Sequence, residues 1–193
     1  AIGEAAVVDE VNEKRKFITS KIEDEIDELI ENQVDPQTDR IIIVQGKNWN
    51  PGVIGIDTDR LKDRFLRPAM ILTEYDGSDY IRGSVRSIPT INMYHIIDSV
   101  GDEFETKFGK QLFQTEVSTQ FGKRIINAFG GHAQACGFTL HRSNVPFFLE
   151  AVRTEMAKLT MEQFEYSYEI LDTIRFGQIN FEIVKKLDLL VPY

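Results

Sequence analysis

Residues 40–65, RIIIVQGKNWNPGVIGIDTDRLKDRF, decide the fold class. Ile41, Ile42, Ile43 and Val44 make a short run that is apolar at every position, as in a strand buried on both faces. Asn50 then offers a side-chain oxygen to the free amides of a helix start, and Pro51 suits the first helical turn. Ile54, Leu61 and Phe65 recur along the next fifteen positions as one buried stripe. A fully buried strand followed by a capped helix opens an α/β unit.

Downstream the pattern continues. PAMILTEY (68–75) reads as a second strand, DGSD (76–79) as a turn and YIRGSVRSI (80–88) as a third strand. In that third strand Arg82, Ser84 and Arg86 fall at alternate positions, so they project from one face, while Ile81 and Val85 project from the other. One face is built for the core; the other offers two cations and a hydroxyl. INMYHIIDSV (91–100) returns to helical spacing, whereas 101–120 is the least patterned stretch and reads as an insertion or mobile loop. GKRIINAF (122–129) reads as a short helix ending at Gly130–Gly131, CGFTL (136–140) as a strand, and 145–159 as a helix on Phe148, Val152 and Met156.

Upstream, residues 6–31 place Val7, Val11, Ile18, Ile22, Ile26 and Leu29 at three- to four-residue spacing between charges, the pattern of one long amphipathic helix. Pro36 ends it. The expected organisation is a connector helix over 1–39, a domain over 40–160, and over 161–193 the opening of a further unit, with FEYSYEIL as strand and NFEIVKKLDLL as helix.

The 193 residues carry a net charge of −9, yet residues 1–39 hold 12 acids against 4 bases and so account for nearly all of it. Across 106–142 the one acid, Glu116, stands against Lys107, Lys110, Lys123, Arg124 and Arg142, so a local surface can bind phosphate whatever the total. With one cysteine, Cys136, no internal disulfide can form, and a cytoplasmic setting is expected. No signal peptide is evident at the N-terminus, and no apolar run approaches the ~20 residues that span a bilayer, so no membrane partner is expected.

Two stretches suit a ligand. At NWNPGVIGI, Trp49 and Asn50 sit at a helix start whose free amides favour an anion; Trp49 either stacks on a base or packs. In FGGHAQACG (129–137) a diglycine allows a sharp turn and close approach, and His132 can donate to a phosphate oxygen, move a proton or simply sit at the surface. No nucleophile elbow, phosphate loop or metal-binding cluster of His and carboxylates can be assembled. The residues can grip an anion but have nothing evident to activate water.

Taken in order, VNEKR (11–15), WNPGVIGIDTDRLKDRFLRPAMIL (49–72), GSVRSIPTINMY (83–94) and FGGHAQACGFTL (129–140) resemble the connecting helix and DHH-associated domain of RecJ-type single-strand-specific exonucleases, within the DHH phosphoesterase superfamily. The resemblance runs from about Val7 to Leu159. It implies an α/β fold with a mixed sheet flanked by helices behind a long connector helix. It also implies 5′-to-3′ degradation of single-stranded DNA in repair and recombination by the intact protein. Mn2+ or Mg2+ would be held by a separate DHH domain, and none by this segment, which alone would be inactive.

Ser84 and Arg86 match the family's substrate-contacting serine and arginine, and Gly130, Gly131 and His132 its glycine–histidine element; Trp49, Asn50 and Arg82 complete the expected substrate face. An oligonucleotide-binding-fold domain would follow. Single-stranded DNA is the implied partner, with single-strand-binding or other repair proteins beside it. Asn50 stands where the family often has histidine and Cys136 where it has a second alanine, and 101–120 is longer than its usual connection. Two other readings are a DHH-family phosphodiesterase of short RNA or cyclic dinucleotides, and a non-catalytic nucleic-acid-binding module. A plain α/β domain whose basic strand face is only solvated is a third.

Overall fold

The computed structural model describes residues 20–32, 34–35, 38–119 and 122–165, with isolated positions at 175, 180–182 and 185. Helix α1 covers residues 20–32, the described part of the long amphipathic pattern; the rest of that pattern, and nearly all of the strand and helix expected after residue 164, lie outside the described residues. Strand β1 (Ile42–Lys47), helix α2 (Pro51–Phe65) and strand β2 (Ala69–Glu74) follow as the opening α/β unit. Asn50 caps α2 by accepting from the Gly52 amide at 2.8 Å, as its position promised. Strand β3 (Tyr80–Arg86) and helix α3 (Met93–Phe108) come next, then a hairpin of β4 (Gln114–Thr119) and β5 (Gly122–Asn127). Strands β6 (Phe129–His132) and β7 (Ala135–His141) and helix α4 (Val145–Ala157) complete the described domain.

The main sheet runs β1-β2-β3-β7-β6, with β1 and β2 parallel and every other pair antiparallel. It is the mixed sheet the resemblance implied. One face carries Ile43, Met70, Leu72, Ile81 and Val85 into a core with α3 and α4, where Ile97, Val100, Phe148 and Val152 are fully buried. The opposite face carries Ile42, Val44, Ala69 and Ile71 into a second core with Val53, Ile54 and Leu61 of α2 and Ile22, Ile26 and Ile30 of α1. Arg40 links the two ends of the domain, its guanidinium donating to the carbonyls of Met156, Ala157 and Leu159 at the end of α4.

Two expectations are corrected. Residues 101–119 are not one long loop: α3 continues to Phe108 because Phe104 extends its buried stripe of Met93, Ile97 and Val100, and β4 begins six residues later. Residues 122–127 are not a helix but β5, paired antiparallel with β4 from Gln114↔Asn127 to Thr119↔Gly122. Both Ile125 and Ile126 of this hairpin are exposed, so no alternation of apolar and polar residues marked it as strand. The diglycine consequently follows a strand and lies within β6.

Candidate functional site

The strand register brings the separate motifs together. Side chains directly opposite one another in a sheet share a face. One such row reads Val44, Ile71, Ser84, Gly137, Gly130 from β1 to β6, and the next reads Ile42, Ala69, Arg86, Ala135, His132. Each row begins in the apolar core beneath α1 and α2 and ends at the polar motifs. Arg86 and His132 are two strand spacings apart, roughly 10 Å between backbones, with only an alanine between them. Glycine and alanine on β7 leave the floor low. A hollow of ≈ 510 Å³ results, lined by Arg82, Ser84, Arg86, Gly130, Gly131 and His132 together with the first turns of α2.

Each side chain is held differently. Arg86 is fixed: its Nε donates to Asp59 Oδ2 of α2 at 3.0 Å, and Nη1 donates to Val85 O at 3.0 Å and to Ser84 Oγ at 3.4 Å. Helix α2 passes close over it, and a side chain at Gly55 would sit 3.1 Å from Arg86 Nη2 and 3.7 Å from Ser84 Oγ. Burial acts to raise the Asp59 carboxyl, but hydrogen bonds and charge from Lys62 and Arg86 outweigh it and hold the group below its ordinary value. The guanidinium thus keeps a fixed orientation with part of its fork still facing the hollow, the arrangement that suits phosphate oxygens. His132 is exposed and its imidazole makes no hydrogen bond among the described residues.

The two glycines have separate reasons. Gly131 takes φ +139, and a Cβ there would lie 2.3 Å from Ala135 O, so only glycine fits the tight β6–β7 turn. Gly130 has ordinary φ and nothing within 4 Å of an added Cβ; its lack of a side chain keeps the hollow open. The turn is clamped from outside by the segment after β3, since Ser87 N–H donates to Gln134 O at 2.8 Å and Met93 N–H to Ala133 O at 3.0 Å. The segment from RSIP to Met93 is therefore locked by backbone hydrogen bonds to the turn that follows GGH, a link that reading each motif alone could not reveal.

Trp49 does not reach the hollow. It is 3% exposed in the second core, its ring lies over Gly46, and its Nε1 donates to Glu25 Oε2 of α1 at 2.6 Å. The packing alternative holds for Trp49, and it is withdrawn from the substrate face. Asn50 is occupied as the cap of α2 and is not among the residues that line the hollow. Cys136 turns its side chain into the opposite core, where burial pushes its thiol up to about 11 against a weaker opposing pull from Arg86, so it packs as a neutral group. No group of three or more His, Cys, Asp or Glu side chains among the described residues is arranged to hold a metal ion. No helix among them is long and apolar enough to cross a membrane.

Comparison with known proteins agrees with this layout. Residues 38–109 match the family described as the DHHA1 domain. The chain is 32% identical over 191 residues to the single-stranded-DNA-specific exonuclease RecJ of Bacillus subtilis, covering 98% of this chain and 21% of that protein. It is 27% identical over 154 residues to the protein of the same name from Escherichia coli, covering 76% of this chain and 23% of the relative. It thus spans about a fifth of the length of these relatives. Among solved structures, RecJ from Thermus thermophilus in complex with Mg2+ shares the fold, with a TM-score of 0.66 at 22% identity over 97% of this chain and 25% of that one. Residues 38–109 therefore resemble a DHHA1 domain, and the chain as a whole is similar to a segment of the RecJ proteins.

Proposed function

We propose that this chain is the substrate-binding part of a metal-dependent single-stranded-DNA exonuclease, and that its open sheet face grips DNA phosphates opposite a catalytic domain. The observation that carries this reading is the pair of adjacent rows that set Arg86, Ser84, Gly130 and His132 around one low-floored hollow. A guanidinium fixed at Nε, a neighbouring hydroxyl and an imidazole with no internal partner supply donors to an anion, while the glycine floor admits a backbone closely. The names of the curated relatives supply the substrate class, single-stranded DNA. Hydrolysis from the 5′ end, Mn2+ or Mg2+ bound by a separate DHH domain, work in repair and a cytoplasmic location complete the reading. Residues before 40 act as the connector to that domain, and those after 160 open a further one.

The test is a nuclease assay of the intact protein with Mn2+ on 5′- and 3′-labelled single strands. Wild type should shorten the strand from its 5′ end, and Arg86→Ala should lose roughly 10- to 100-fold in kcat/KM, as expected for one charge-assisted hydrogen bond. Unchanged kcat/KM in Arg86→Ala would remove the hollow from the reaction.

A further inference from the structure

The open face of β3 does not stop at the hollow just described. Tyr80, Arg82, Ser84 and Arg86 all project from it, so the anion site at Arg86 and Ser84 continues along the strand through Arg82 to an aromatic ring. Beyond Arg82 lies a second hollow of ≈ 740 Å³, walled by the β2–β3 turn on one side and the β4–β5 hairpin on the other. Pro51 and Arg82 line both hollows, which makes them one continuous surface. We propose that this second hollow receives the nucleoside adjoining the phosphate held at Arg86 and Ser84, its base stacking on Tyr80 and His141 and its backbone lying against Arg82.

The inference rests on the function proposed above and adds a base-binding subsite to it. Tyr80 and His141 are register partners whose rings meet edge to face, with centroids 5.6 Å apart and planes at 83°. His141 is held in place, its Nδ1 accepting from the Ser143 amide at 3.2 Å, and the Tyr75 hydroxyl donates to Trp49 O at 2.6 Å. The aromatic walls are therefore fixed before any ligand arrives, and the ordering cost of stacking is small. Arg82 is exposed and its side chain makes no hydrogen bond or ion pair among the described residues, whereas Lys123 is paired with Glu116 at 2.7 Å. Asp79 and Glu116 balance the two cations of the lining, which disfavours a second bare phosphate. What remains is one uncommitted guanidinium beside fixed rings, the combination that holds a single-stranded base with its backbone.

The experiment uses the intact protein and a fluorescein-labelled eight-residue oligothymidylate, with Arg86→Ala as reference and each variant's denaturation midpoint recorded. Tyr80→Ala should weaken binding roughly tenfold, the scale of one base stack, and Tyr80→Phe should bind as wild type. Arg82→Gln, at an exposed position that cannot unsettle the core, should weaken it several-fold. A 2-aminopurine base scanned along the strand should be quenched at one position in wild type and not in Tyr80→Ala. If Tyr80→Ala and Arg82→Gln both bind as wild type while Arg86→Ala is weakened, the subsite is wrong and the phosphate site stands. If Arg86→Ala also binds as wild type, both fail together.

Discussion

One face of one sheet is used in two ways. Over β1 and β2 it is sealed: Ile42, Val44, Ala69 and Ile71 are wholly buried under α2 and α1. Over β3, β7 and β6 the same face, in the same two cross-strand rows, is polar, glycine-rich and open. Helix α2 runs along the boundary and serves both halves, Ile54 and Leu61 packing downward while Asp59 reaches across to Arg86. The lesson is that the site needs no fold of its own. It is the part of a buried sheet from which apolar side chains have been removed, positioned by the half that kept them.

The boundary can be tested on neighbours within a row. Ile71 and Ser84 are opposite one another on β2 and β3. Ile71→Ala should cost about 2–5 kcal/mol of stability in urea denaturation, the range for large-to-small changes in a packed core. Ser84→Ala should cost no more than about 1 kcal/mol, since among the described residues its hydroxyl makes only a long 3.4 Å hydrogen bond, and should weaken DNA binding instead. Equal losses of stability at the two positions would break the distinction.

The adjacent glycines sharpen it further. Gly131→Ala forces a side chain onto positive φ and against Ala135 O, and should destabilise by at least about 1–3 kcal/mol. Gly130→Ala meets nothing and should leave the denaturation midpoint within about 0.5 kcal/mol of wild type while reducing affinity for DNA.

The sealed half has its own flaw, and this yields a pH dependence. Asp57 is 2% exposed, its carboxylate oxygens have no hydrogen-bond partner among the described residues, and it lines a small gap between α1 and α2 with Glu23 and Arg60. Burial, then the charge of Glu23, pushes its carboxyl up to about 6 from an ordinary 3.8, against a smaller opposing pull from Arg60. The folded chain then holds a proton that the unfolded chain has released. Its contribution to stability should decline as pH rises from 3.8 to about 6 and level off above, by at most about 3 kcal/mol. Denaturation across that range should show the decline in wild type and lose it in Asp57→Asn; identical profiles would place the carboxyl in contact with solvent.

Much of this could be read before any coordinates. Local signals sufficed for β1 to β3, for the Asn50 cap and for the buried stripes of α2 and α4, because each is written in consecutive residues. The polar alternation of Arg82, Ser84 and Arg86 was equally legible. What sequence could not carry was the cross-strand register, which makes Arg86 a row-mate of His132 through Ala135, residues separated by almost fifty positions in the chain. The β4–β5 hairpin escaped because Val117, Ile125 and Ile126 are all exposed and mark no buried face with a period of two. Trp49 had two readings, and Gly46, whose missing side chain makes room for the indole, decided between them only in three dimensions.

The central claim is that Arg86 holds a backbone phosphate, and the salt dependence of single-strand binding tests it most directly. Affinity of the intact protein for an oligothymidylate, plotted as log K against log salt concentration, should fall with a slope that becomes shallower by about 0.7 in Arg86→Ala, the value for one fewer phosphate neutralised on a single strand. A slope and affinity unchanged by that substitution would contradict the account.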